Sequence, residues 1–93
     1  MYHTHFYSGM TSINDGHSHD YKGETSPAPT GVPHVHHIAG YTAYEDGHRH
    51  YYIIETSPAY QVPGGHIHYI SGITYISEEH YHSISDTTSK YPY

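Results

Sequence analysis

Cysteine and tryptophan are absent from this sequence, Phe6 is its single phenylalanine, and Lys22, Arg49 and Lys90 are its only strong cations. Without cysteine there is no disulfide staple. With so few cations there is no basic surface to track phosphates, which excludes nucleic acid as an expected partner. No apolar run approaches a membrane span, and the N-terminal MYHTHFYSGM lacks the basic start and apolar stretch of a secretory signal. The expectation is a chain made in the cytoplasm, with no membrane partner, that acts there, at the cell or spore surface, or outside the cell.

Apolar residues fill 34% of the 93 positions, below the roughly 45–50% of ordinary domains, so any core must draw on other residue types. Thirteen tyrosines and thirteen histidines are there to supply it. Tyrosine buries a large ring but brings a hydroxyl that needs a partner. A single small, polar domain of this kind needs a staple, and with disulfides excluded the choices are metal or association between chains. Net charge is −6 with neutral histidines, and protonating all thirteen below a pKa of ~6.5 takes it to about +7.

The chain repeats itself. DGHSHDYKGETSPA starts at Asp15 and DGHRHYYIIETSPA at Asp46. A shift of 31 lays His3, His5, Gly9, Thr11, His17 and His19 on His34, His36, Gly40, Thr42, His48 and His50, and a further shift of 32 lays these on His66, His68, Gly72, Thr74, His80 and His82. Three units, residues 1–31, 32–63 and 64–93, fill the chain. Each reads as a β-hairpin: the Gly, Pro, Thr, Tyr and Ile content disfavours helix, and Asp15-Gly16 and Asp46-Gly47 are tight-turn signals. Glu78-Glu79 in the same place predicts a different turn in the third unit. The prolines of SPAPTGVP and SPAYQVPGG belong in connections, Gly9, Gly40 and Gly72 suggest a bulge or close backbone approach, and Tyr91-Pro92-Tyr93 reads as a tail. The expected fold class is therefore all-β, three tandem hairpins of ~31 residues in a pseudo-threefold ring or a short stack.

Six His-x-His pairs account for every histidine except His37. In a strand, residues i and i+2 share a face about 6.5–7 Å apart, so both imidazoles can offer a neutral nitrogen to one ion. If the arms of a hairpin align, four imidazoles of one hairpin surround a tetrahedral ion. The candidate ligands are His3, His5, His17, His19, His34, His36, His48, His50, His66, His68, His80 and His82. An all-nitrogen set suits Zn, Cu or Ni rather than Mg or Ca. The histidine face runs on to Tyr7, Ile38 and Ile70 in the first arms and to Tyr21, Tyr52 and Ile84 in the second, which sets the imidazoles at the rim of the core. The competing reading is a wall of His and Tyr rings stacked across strands.

The order HxH, GxT, DGHxH, TSPA resembles the YmaF family of small bacterial proteins, whose lack of an assigned activity implies no catalytic residue here. His48 and His50 with Glu55, and His17 and His19 with Glu24, are also similar to the first cupin motif, although an unbroken strand turns Glu55 away from His48 and His50. The histidine faces carry no consistently placed carboxylate, with only Asp86 near one, and no Ser-His-Asp arrangement is supported, so an enzyme is not expected. The expected function is a self-assembling structural protein, a homo-oligomer or filament whose partners are itself and histidine-bound metal ions; a discrete Zn, Cu or Ni storage or buffering protein is the alternative.

Overall fold

Alternation of inward and outward residues on either side of tight turns makes every regular element a short strand, and a computed structural model describes residues 1–14 and 16–92. The strands are β1 (Tyr2–His3), β2 (Phe6–Met10), β3 (Asp20–Glu24), β4 (Ala28–Pro29), β5 (His37–Tyr41), β6 (Tyr51–Glu55), β7 (Tyr60–Val62), β8 (Gly65–Ile67), β9 (Tyr69–Ile73) and β10 (Ser83–Thr87). Among the described residues there is no helix. β2 pairs with β3, β5 with β6 and β9 with β10, all antiparallel, so the all-β class with small hairpins is as expected. β1–β4 and β7–β8 are smaller pairs in the connecting segments.

Each turn is a two-residue loop closed by a bridge, Asn14 to His17, Glu45 to His48 and Ser77 to His80. Asp46 and Gly47 lie at φ 54° and 80°, and Glu78 and Glu79 at 53° and 65°. The third turn is therefore of the same primed kind as the second, and the different turn expected there is not found: the right-handed strand twist imposes positive φ on whatever residues occupy the loop. Asp15 lies outside the described residues, as does Tyr93.

The register puts Tyr7 opposite Gly23, Gly9 opposite Tyr21, Gly40 opposite Tyr52 and Gly72 opposite Ile84. The glycines sit in unbroken ladders and mark no bulge. What comes close is a ring or side chain rather than backbone: a Cβ on Gly23 would lie 2.6 Å from the Tyr7 hydroxyl oxygen, and one on Gly72 3.0 Å from Ile54. Pairing a large residue with glycine lets the inward rings lie across the sheet. The resulting core is Tyr7, Tyr21, Ile38, Tyr52, Ile54, Ile70 and Ile84. Its hydroxyls are partnered: the Tyr7 and Tyr52 oxygens are 2.8 Å apart, and Tyr21 donates to Asp86 at 3.4 Å. Burial and the neighbouring Asp86 carboxylate push the Tyr21 hydroxyl up to about 12.

The hairpins meet one another in a fixed pattern. β3 packs on β5, β6 on β9, and β10 on β2. Near the connectors the Ser26 amide donates to the His37 carbonyl, Ser57 to Tyr69 and Ser89 to Phe6, at 2.7–2.9 Å. Near the turns Ser12 donates to Ser83, Ala43 to Asp20 and Tyr75 to Tyr51, at 2.7–2.9 Å. The molecule is elongated, 42 × 20 × 16 Å.

Candidate metal centres

Reading inward positions along one hairpin gives His3, then His5 beside Thr25, Tyr7 beside Gly23, Gly9 beside Tyr21, Thr11 beside His19, and finally His17. The two histidine pairs of a hairpin thus fall at opposite ends of the core, about 20–25 Å apart at ~3.3 Å per residue. Four imidazoles of one hairpin cannot share an ion. Instead each end gathers one pair from every hairpin. His3, His5, His34, His36, His66 and His68 converge at the connector end, and His17, His19, His48, His80 and His82 at the turn end. His50 joins the second group, its ring 4.9 Å from His19 and from His80 and 4.7 Å from His82. All twelve predicted residues are thereby placed in two sets of six. His36, His50, His68 and His82 are 0% exposed, deeper than a rim, whereas His17, His34 and His80 are half-buried at the ends of the core. His37 points outward to Glu55 at 3.3 Å, so the cupin-like carboxylate does not reach the histidines.

The imidazoles present their Nε2 atoms to one another. At the connector end His3 and His34 are separated by 3.1 Å, and His5 and His66, His3 and His66, and His34 and His68 by 3.2 Å. At the turn end His17 lies 3.3 Å from His48 and 3.2 Å from His80. Most of the other ring nitrogens face carbonyls, while His3 Nδ1 lies 2.8 Å from the Thr30 hydroxyl. His5 Nδ1–H donates to Ser89, His36 to Ser26, His68 to Ser57, His19 to Ala43, His50 to Tyr75 and His82 to Ser12, at 2.7–2.9 Å and always to the adjacent hairpin. His34 donates to Val32 at 2.7 Å and His80 to Glu78 at 3.0 Å. A carbonyl only accepts, so the proton is on Nδ1 and Nε2 carries a bare lone pair. Nε2 of His19, His36, His50 and His82 is buried with no hydrogen-bond partner.

The rings are arranged regularly. At the connector end each ring lies edge-to-face against all others of its set except one, and the pairs left apart are His3 with His68, His5 with His34, and His36 with His66. At the turn end the separated pairs are His17 with His50, His19 with His80, and His48 with His82. In both, the separated pairs are the opposite corners of an octahedron.

Sequence reasoning missed the threonines behind the histidines. The amides of His5, His36 and His68 donate to the hydroxyls of Thr25, Thr56 and Thr88, and those of His19, His50 and His82 to Thr11, Thr42 and Thr74, at 3.0–3.1 Å. Thr25 and Thr56 precede the proline-rich connecting segments, and their constant 20-residue distance from His5 and His36 is the signal that ties them to the histidines. Tyr91 is likewise more than a tail. Its ring stacks on His3 at 4.4 Å, and its backbone exchanges two 3.0 Å hydrogen bonds with His66. Asp46 both forms its turn and sets a carboxylate 3.2 Å from His17 Nδ1.

Burial lowers the proton affinity of these rings. Desolvation and then the neighbouring imidazoles lower His3 to about 4. Desolvation lowers His68 to about 4 against the opposing Ser57 hydrogen bond. His5, His19, His36, His50, His66 and His82 are lowered with burial as the largest cause. The arrangement offers neutral nitrogen donors at neutral pH.

No curated protein and no solved structure matches the chain. The family model described as "YmaF: Spore germination protein GerY/YamF" matches residues 23–90, which takes in the end of the first hairpin and all of the next two. The chain belongs to the YmaF family.

Proposed function

We propose that the three hairpins close into a pseudo-threefold ring and that each end of the ring holds one transition-metal ion through six imidazoles, making the protein a metal-stapled structural module. The observation that carries this reading is the convergence of Nε2 lone pairs whose Nδ1 protons are committed to carbonyls. Acceptors such as the Nε2 atoms of His34 and His68, 3.2 Å apart with both Nδ1 protons on carbonyls, repel each other, and a cation between them turns that repulsion into bonding. The ion would supply the cohesion that a small Tyr/Ile core lacks. Among the described residues no carboxylate is a member of either set, which favours a structural role over catalysis. The family description concerns spore germination, and a structural component is the part this chain plays on that reading.

Elemental analysis of untagged protein is expected to find up to two equivalents of transition metal per chain. His36→Gln/His50→Gln, which removes a ligand from each end, is expected to retain much less under the same conditions. Wild-type protein that takes up no metal would sink the reading and leave ring stacking as the account.

Assembly with further copies is favoured by a separate observation. Tyr41, Ile53, Ile73, Tyr75 and Ile76 are all more than half exposed on the outside of the second and third hairpins, on a surface poor in the charges that keep chains apart. Sedimentation velocity with and without chelator tests this. Large particles in both conditions indicate assembly through these faces, particles that dissolve with chelator indicate metal-dependent contacts, and a single small species excludes assembly.

A further inference from the structure

The geometry points to a narrower class of ion: each centre is built for a metal that takes six neutral nitrogens octahedrally, Ni(II), Co(II) or Fe(II), in preference to tetrahedral Zn(II) or tetragonal Cu(II). This rests on the reading of the two clusters as metal centres and adds their coordination number and their selectivity.

Coordination number comes from the arrangement of the rings. Each set has its six imidazoles at the corners of an octahedron, with opposite corners always supplied by different hairpins. The closest neighbouring corners, four edges at the connector end and two at the turn end, have nitrogens 3.1–3.3 Å apart. Dividing such an edge by the square root of two gives a centre about 2.2–2.3 Å from the nitrogens of a regular octahedron, longer than the ~2.0–2.1 Å of a tetrahedral Zn–N bond. A tetrahedral ion would engage four rings and strand two buried lone pairs against it.

The frame resists such a choice. Within each set the inner histidines are tied by Nδ1 to the next hairpin, His5 to Ser89, His36 to Ser26 and His68 to Ser57 at one end, His19 to Ala43, His50 to Tyr75 and His82 to Ser12 at the other. Withdrawing one ring breaks a contact between hairpins. The same three-sided support singles out no axis, whereas Cu(II) favours one pair of ligands farther away than the rest. Zn(II) has a filled d shell and gains nothing from six-fold nitrogen coordination. Ni(II), Co(II) and Fe(II) do gain, and imidazole suits them. Mn(II), Mg and Ca prefer oxygen, and among the described residues no carboxylate belongs to either set.

Cobalt serves as its own reporter. Metal-free full-length protein is titrated with Co(II) and its visible absorption recorded. The expected result is saturation at two equivalents with the weak bands of six-coordinate cobalt, and Ni(II) then displacing Zn(II) from a zinc-loaded sample. Intense bands of tetrahedral cobalt, or Zn(II) displacing Ni(II), overturn the octahedral assignment while metal binding itself stands. Failure to take up cobalt, nickel or zinc overturns both.

Discussion

His36 Nδ1–H donates to the Ser26 carbonyl at 2.7 Å, across the boundary between the first and second hairpins, and so leaves the buried Nε2 of His36 with a lone pair and no hydrogen-bond partner. Each member of this pair constrains the other: the carbonyl fixes the tautomer, and the ring fixes where the second hairpin docks. His36→Met removes the unpartnered nitrogen at similar volume. The metal-free variant is expected to be as stable as the parent within about 1.5 kcal/mol, yet to lose the thermal shift that metal confers at the connector end. That shift is worth about 2.7 kcal/mol at one hundred times the dissociation constant. Thermal melts with and without nickel check it.

Acid should unfold the metal-free protein within a defined window. Folded His3 and His68 bind protons only near pH 4, whereas their unfolded counterparts do so near 6.5. Below 6.5 the unfolded chain therefore takes up protons that the folded chain refuses. The stability of the neutral-histidine fold is complete above pH 6.5 and is lost progressively as pH falls toward about 4. Metal competes with protons and moves the midpoint lower. Melting temperatures that rise on acidification across this window would contradict the burial of neutral rings.

Threonine hydroxyls are expected to matter more than their size suggests. Thr25→Val keeps the shape but deprives the buried His5 amide of its 3.0 Å acceptor, at a cost of about 1–3 kcal/mol. Because the hydroxyl also holds the ligand strand in place, metal affinity at the connector end should fall about 10–100-fold, with the turn end unchanged. Metal titration by calorimetry on Thr25→Val and Thr11→Val should show opposite ends affected. Equal loss at both ends in either variant would point to global loosening.

Tyr91 should govern how fast metal leaves the connector end. Tyr91→Ala removes the ring stacked on His3, and a stack worth about 0.5–1.5 kcal/mol corresponds to release two- to tenfold faster. Gly65→Ala probes the same contact from the backbone, since its Cβ would lie 2.3 Å from the Tyr91 carbonyl oxygen. Stopped-flow release to a chromophoric chelator should show one phase accelerated in both variants and the other unchanged.

The repeats, the strand faces and the inward placement of the twelve histidines were legible because period-two alternation needs no knowledge of tertiary contacts. His3, His5 and Tyr7 share a face whatever the hairpins do next. Which histidines converge was not legible, because it depends on register: the ladder from Phe6–Glu24 to Met10–Asp20 is what sends His5 and His19 to opposite ends. Glu78-Glu79 misled because local propensity disfavours positive φ there, and the paired strands override it. Thr25 was hidden by the nearby Pro27, which reads as connection even though Thr25 itself is buried against His5.

The spacing between the second and third units exceeds that between the first and second by one residue, and the extra residue falls between Thr56 and His66, where β7 and β8 turn back at Pro63-Gly64. Length variation is thus absorbed where the chain carries no ligand. An insertion between His36 and Thr42 has no such outlet, because one added residue exchanges the inward and outward faces of everything beyond it. The connectors can lengthen freely under evolution or in the hands of a protein engineer. The arms are locked to the residue, and tags or grafted peptides belong at Pro63-Gly64.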